Sequence, residues 1–179
     1  KLAIPGFVNA HTHAAMTLFR GYADDMLLMD WLQQKIWPAE DKLTSSDVYW
    51  GTQLAIAEMI KSGTTSFVDM YFYMPEAAQA VAESGIRAVL SRGMAGVAPT
   101  AQQALAESES LFNEWHRGAD GRITVMLGPH APYTCPPAYL RKVVELAQKL
   151  GAEIHIHLSE TADEVKTCYE KHGQSPIAL

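Results

Sequence analysis

Short, nearly continuous apolar runs alternate with longer amphipathic stretches along this chain. The runs Ile4–Ala10, Thr65–Met70, Ala88–Arg92, Ile123–Leu127 and Glu153–Leu158 are rich in Val, Ile and Phe and predict strands buried on both faces. The punctuation between them predicts helices. Thr44 stands as an N-cap with Asp47 at the third helical position, and that helix runs to Ser62 and stops at Gly63. Pro75 opens a second, ended by Gly85, and Thr100–Trp115 makes a third, closed by Gly118-Ala119-Asp120-Gly121. Pro136-Pro137 opens a fourth that ends at Gly151, and Thr161 or Asp163 opens a fifth that ends near Gly173.

Five repeats of strand then helix predict an α/β fold with a parallel sheet and right-handed crossovers. A doubly wound sheet and a (β/α)8 TIM barrel both meet that description. Histidines at the ends of several runs favour the barrel, whose functional groups sit at the C-terminal ends of different strands. No Gly-rich phosphate loop follows the first run, which weakens the dinucleotide-binding alternative. A full barrel takes about 250 residues. The 179 residues supply about five of its eight units, so residues 1–179 are expected to form a single incomplete barrel domain. Both ends read as cut.

Composition narrows the function classes. At 48% hydrophobic and 19% charged residues the chain can bury one core. A net charge of −6 without any Lys/Arg stripe argues against a nucleic-acid or membrane partner. The two cysteines, Cys135 and Cys168, and the lack of an apolar run of membrane-spanning length predict free thiols and a cytoplasmic location. Cys135 has no base nearby in sequence and reads as structural.

The first run ends in His11-Thr12-His13. Side chains two apart on a strand share a face, so both imidazoles can converge on one point, as a transition metal requires. A pair of packed core histidines would look the same. The fifth run repeats the device in His155-Ile156-His157, with His157 nearer the C-terminal end as the better ligand and His155 deeper, as a supporting residue. Glu160 follows the run, where a carboxylate can serve as acid/base without ligating the ion, or simply favour the dipole of the next helix. His130 sits at the fourth strand end among prolines, and the absence of a lysine there argues against a second, carbamate-bridged metal. The segment Ala14–Leu32, with its methionines and aromatics, reads either as ordinary core or as a cover over the site.

Five stretches together resemble the amidohydrolase superfamily: Pro5–His13, Trp37-Pro38-Ala39-Glu40-Asp41, Gly63–Met70, Gly128–Tyr133 and His155–Thr161. The resemblance extends over essentially the whole chain, in the right order. It is closest to the branch that deaminates 5′-methylthioadenosine and S-adenosylhomocysteine; triazine chlorohydrolases and guanine or cytosine deaminases share much of the pattern. It implies that His11, His13 and His157 ligate one divalent metal ion, Zn2+ or alternatively Fe2+. It implies that Glu160 protonates purine N1 while a metal-activated water adds at C6. Glu40 would hold the ribose hydroxyls, and His130 and Arg92 would contact the substrate. Members of the family also use a histidine at the sixth strand and an aspartate at the eighth. Neither has a counterpart in these residues, so the chain alone is expected to be inactive. Two other readings stay open: a related chlorohydrolase or nucleobase deaminase, and a non-catalytic metal-binding half-barrel that self-associates into a homo-oligomer through its open sheet edges.

Overall fold

The computed structural model describes all 179 residues. Four strands, β1 (Phe7–Thr12), β2 (Thr64–Tyr71), β3 (Arg87–Met94) and β4 (Ile123–Pro129), form a parallel sheet in the order β1-β2-β3-β4. A strand order that never reverses has no switch point, which favours a barrel progression over a doubly wound sheet. The longer helices are α1 (Ser45–Ser62), α2 (Met74–Ser84), α3 (Ala101–Trp115), α4 (Pro137–Leu150) and α5 (Ala162–His172). Their ends lie where the capping residues put them. Thr44 Oγ1 accepts the Asp47 N–H at 3.3 Å and Asp47 Oδ2 accepts the Thr44 N–H at 2.8 Å, closing the capping box of α1. Gly63 ends the same helix at φ 86°, a backbone that only glycine adopts at no steric cost.

Two strands differ from expectation. β1 begins at Phe7 rather than Ile4 and carries on through His11 and Thr12. Pro5 has no N–H for a ladder, and Leu2 and Ile4 before the strand are exposed. The fifth run makes no regular strand, only one bridge, Leu127 with Ile154. Leu127 donates to Glu153 O at 2.9 Å and accepts from His155 N–H at 2.8 Å. The next rung of a parallel ladder would need an N–H from residue 129, which is proline. His157 N–H instead reaches His130 O at 3.0 Å, and the ladder lapses.

The chain divides into two compact units, Lys1–Leu90 with Trp115–Thr124, and Ser91–Glu114 with Val125–Leu179. In the first, Phe67 from β2, Val48 and Ile56 from α1, and Met74 and Val81 from α2 are fully buried. Two turns of 3-10 helix, Ala14–Phe19, pack on α1 directly after His13. Gly51 permits that approach: a Cβ there would lie 2.6 Å from Ala15 O, and Thr17 Oγ1 donates to Gly51 O at 2.8 Å. Arg122 donates to the carbonyls of Val81, Ala82 and Ile86 at 3.0–3.2 Å, a cation on the C-terminal end of α2. The segment Ala14–Leu32 is core only in part, with Ala14, Ala15 and Leu32 buried but Leu27 and Met29 exposed. In the second unit Met94, Leu105, Leu127, Tyr139 and Val143 form the core. Buried Cys135 donates its thiol to Met94 O at 3.1 Å, a structural contact. No helix is long and apolar enough to cross a membrane.

Candidate active site

In the first unit, β1 carries His11 and His13 follows directly after its last residue, Thr12; the two ring centroids are 5.4 Å apart with planes at 90°. His13 Nδ1 lies 2.7 Å from Met70 O. A carbonyl accepts only, so Nδ1 carries the proton, and the neutral ring has its lone pair on Nε2, where it can ligate a metal. Asp69, at the end of β2, is buried; its Oδ1 accepts the Ala14 N–H at 2.7 Å and the Thr12 hydroxyl at 2.8 Å. Burial pushes its carboxyl pKa upward, against the pull of those two donors.

Glu40 is half-buried at the end of a short helical turn, Trp37–Glu40. Tyr71, whose ring lies 6.4 Å from that of His13, is close enough for its hydroxyl and the Glu40 carboxylate to perturb one another, although no hydrogen bond of normal geometry joins them. Burial raises the Glu40 pKa above the ordinary carboxylate value. A carboxyl raised by folding binds its proton more tightly in the folded state. The stability it contributes is therefore complete below the unfolded value of about 4.3 and is lost as pH rises through the folded value. Glu40→Gln, neutral at every pH, should raise Tm at about pH 7 by no more than about 2–4 °C and leave it unchanged near pH 3. Thermal melts across that range check this; a constant offset at all pH values would contradict it.

In the second unit, His157 Nδ1 lies 2.8 Å from His130 O, so this imidazole is also held as the Nδ1-protonated tautomer. The His130 ring lies 5.1 Å from the His157 ring, tilted by 59°, and its Nδ1 lies 3.0 Å from Thr134 Oγ1. His155 is half-buried, with Nδ1 3.3 Å from the buried Ser91 hydroxyl. Tyr133 donates its hydroxyl to Glu160 Oε2 at 2.8 Å. Burial, and then this bond, push the Tyr133 pKa upward, which keeps the phenol a donor. Arg92 forms a 2.7 Å ion pair with Glu107 and also donates to Gly93 O.

Sequence reasoning singled out none of Tyr71, Tyr133 or Glu164 for the site. Glu164 is buried, and its carboxylate accepts the N–H of Glu160 at 2.7 Å and of Ser159 at 3.1 Å. Ser159 has φ 58°, and Glu164 holds this strained turn that aims Glu160. The signal was readable, since Thr161-Ala162-Asp163-Glu164 is a capping-box sequence and Thr161 Oγ1 does accept the Glu164 N–H at 3.1 Å.

The sequence pattern of the Amidohydrolase family matches residues 2–177. This chain belongs to the amidohydrolase family. Proteins named 5-methylthioadenosine/S-adenosylhomocysteine deaminase, from Pelotomaculum thermopropionicum and Syntrophomonas wolfei, are 62% and 59% identical to it over 98% and 99% of its length. The amidohydrolase chain spans about 41% of the length of each. The crystal structure of an adenosine deaminase from Xanthomonas campestris with bound zinc is 40% identical, with a TM-score of 0.89, over 97% of this chain and 40% of that one. An atrazine chlorohydrolase from Arthrobacter aurescens, complexed with zinc, matches at a TM-score of 0.83 over 97% of this chain and 45% of that one; at 17% identity it shows likeness of fold alone. The α/β fold of this amidohydrolase is thus part of a (β/α)8 barrel. The adenosine deaminase structure holds zinc, and imidazoles of the kind that ligate a divalent metal stand in each unit of this chain, those of His11 and His13 in the first and that of His157 in the second.

Proposed function

We propose that this chain carries the metal-binding and proton-transferring part of a hydrolytic deaminase acting on an adenosine-type substrate, 5′-methylthioadenosine or S-adenosylhomocysteine. The observation that carries the reading is the end of the fifth run, where His157 is held as the ligating tautomer and Glu160 is aimed by Tyr133 and Glu164. The identity to relatives named for that activity supports it. His11, His13 and His157 would hold the ion, zinc or ferrous iron. The ion would supply a Lewis acid that makes water nucleophilic at neutral pH.

The chain's own residues supply the rest. Tyr133 occupies Glu160 Oε2, leaving Oε1 to give a proton to purine N1 as C6 becomes electrophilic. Hydrolysis then exchanges the C6 amino group for oxygen and releases ammonia. Glu40 accepts hydrogen bonds from two adjacent ribose hydroxyls, which suit one carboxylate. His130 and Arg92 make further substrate contacts. Because the chain spans about 41% of its relatives, turnover is assigned to the whole protein and the isolated chain is expected to release no ammonia.

The test is calorimetric binding of 5′-methylthioadenosine, guanine and a triazine to the zinc-loaded chain, with ammonia release followed in parallel. Preference for the nucleoside, lost in Glu40→Ala, supports the reading. Preference for guanine or the triazine would move the chain to a nucleobase deaminase or a chlorohydrolase, and rapid ammonia release by the chain alone would overturn the division of labour.

A further inference from the structure

We propose that Asp69 is a positioning residue for the metal-ligating pair, holding the two residues that flank His13 and so fixing the direction of its imidazole. This rests on His13 being a ligand. The register between β1 and β2 shifts between Asn9 and Thr12, so the regular backbone ladder gives way just where the histidines stand. Side-chain and carbonyl bonds take over. Asp69 Oδ1 accepts the Thr12 hydroxyl at 2.8 Å and the Ala14 N–H at 2.7 Å. The same hydroxyl lies 2.8 Å from Val68 O, and His13 Nδ1 lies 2.7 Å from Met70 O. Asp69 and Met70 thereby grip three consecutive residues, Thr12 to Ala14, with Val68 O a second acceptor beside the single Thr12 hydroxyl proton.

The grip explains an otherwise costly feature. Asp69 is 1% exposed, and its Oδ2 has no hydrogen-bond partner. A carboxylate buried with one oxygen unmatched is an expensive way to close a turn. It becomes intelligible where a ligand must be aimed, because partners behind metal-binding histidines set both ring orientation and tautomer. The Met70 carbonyl chooses the tautomer; Asp69 keeps the backbone on both sides of His13 at the distance that lets it do so.

The experiment compares the wild-type chain with Asp69→Ala, Asp69→Asn and Thr12→Val by zinc titration and by nitrogen NMR of the His13 ring without metal. Asp69→Ala should weaken zinc binding ~10–100-fold. Asp69→Asn, which keeps an oxygen acceptor for both donors, should stay within roughly threefold of wild type, and Thr12→Val should fall between them. In the metal-free chain, the Nδ1-protonated tautomer should dominate in wild type and Asp69→Asn and give way to a mixture in Asp69→Ala. An Asp69→Ala chain that folds, melts at a lower temperature and keeps both tautomer and zinc affinity would show a purely structural role and overturn the proposal. Should Asp69→Ala not fold, equal behaviour of Thr12→Val and wild type would overturn it. A wild-type chain without zinc affinity would refute the metal reading, while the tautomer comparison would still decide the positioning role.

Discussion

Zinc should raise the melting temperature of the chain, and His157→Ala should abolish most of the rise. At free zinc about a hundredfold above Kd, binding to the folded state adds about 2.7 kcal/mol, which for a chain of this length is about 5–11 °C. Zinc held by four protein ligands in small domains is worth about 10–16 kcal/mol, so one imidazole accounts for about 3 kcal/mol, or roughly a hundredfold in Kd. At the same zinc concentration the variant would be only half-saturated and would gain about 0.4 kcal/mol, a shift of about 1 °C. His13→Ala should behave like His157→Ala, because each is held as the Nδ1 donor to a carbonyl, Met70 O and His130 O, with the lone pair on Nε2. His130→Ala should keep the full shift, since its role is assigned to substrate and the carbonyl that orients His157 belongs to its backbone. Differential scanning fluorimetry with and without zinc reads all four proteins. Equal shifts in wild type and His157→Ala would remove His157 from the ligand set.

What could be read from the chain beforehand was local chemistry. His11-Thr12-His13 and His155-Ile156-His157 announced themselves because strand periodicity puts alternate residues on one face, and Thr44, Gly63, Gly85 and Gly151 marked helix ends because their backbone preferences are intrinsic. What escaped was set by partners far away in sequence. Asp69 reads as a polar residue closing an apolar run, and its work is visible only once Thr12, 57 positions earlier, lies against it. Tyr133 reaches Glu160 across 27 positions. The fifth strand failed for a reason held in its neighbour: residues 153–158 have ordinary strand composition, but Pro129 opposite them lacks the N–H for the second rung. Glu164 is the exception, since its capping-box spacing from Thr161 is local and could have flagged the residue that anchors the Glu160 turn.

Leu127→Ala is expected to cost about 2–5 kcal/mol, lowering Tm by about 4–20 °C, while Leu127→Met stays within about 1.5 kcal/mol of wild type. Leu127 is wholly buried in β4, in a cluster with Met94, Leu105, Tyr139 and Val143. Little around it can collapse into the gap. Tyr139 is pinned by its hydroxyl to Ala101 O at 2.7 Å, and Cys135 by its thiol to Met94 O at 3.1 Å. A poorly relaxing cavity puts the cost toward the upper part of that range. The backbone of Leu127 also makes the bridge that ties down the fifth run, through Glu153 O and the His155 N–H. Those bonds survive truncation of the side chain but lose their support from below. Amide exchange at His155 should therefore accelerate in Leu127→Ala by the same factor as the slowest core amides, because the bridge opens only when the core does. If His155 exchanges equally fast in wild type and variant while Tm falls, the run carrying His157 and Glu160 opens independently of the core, and the site would have to be organised by its metal instead of by β4.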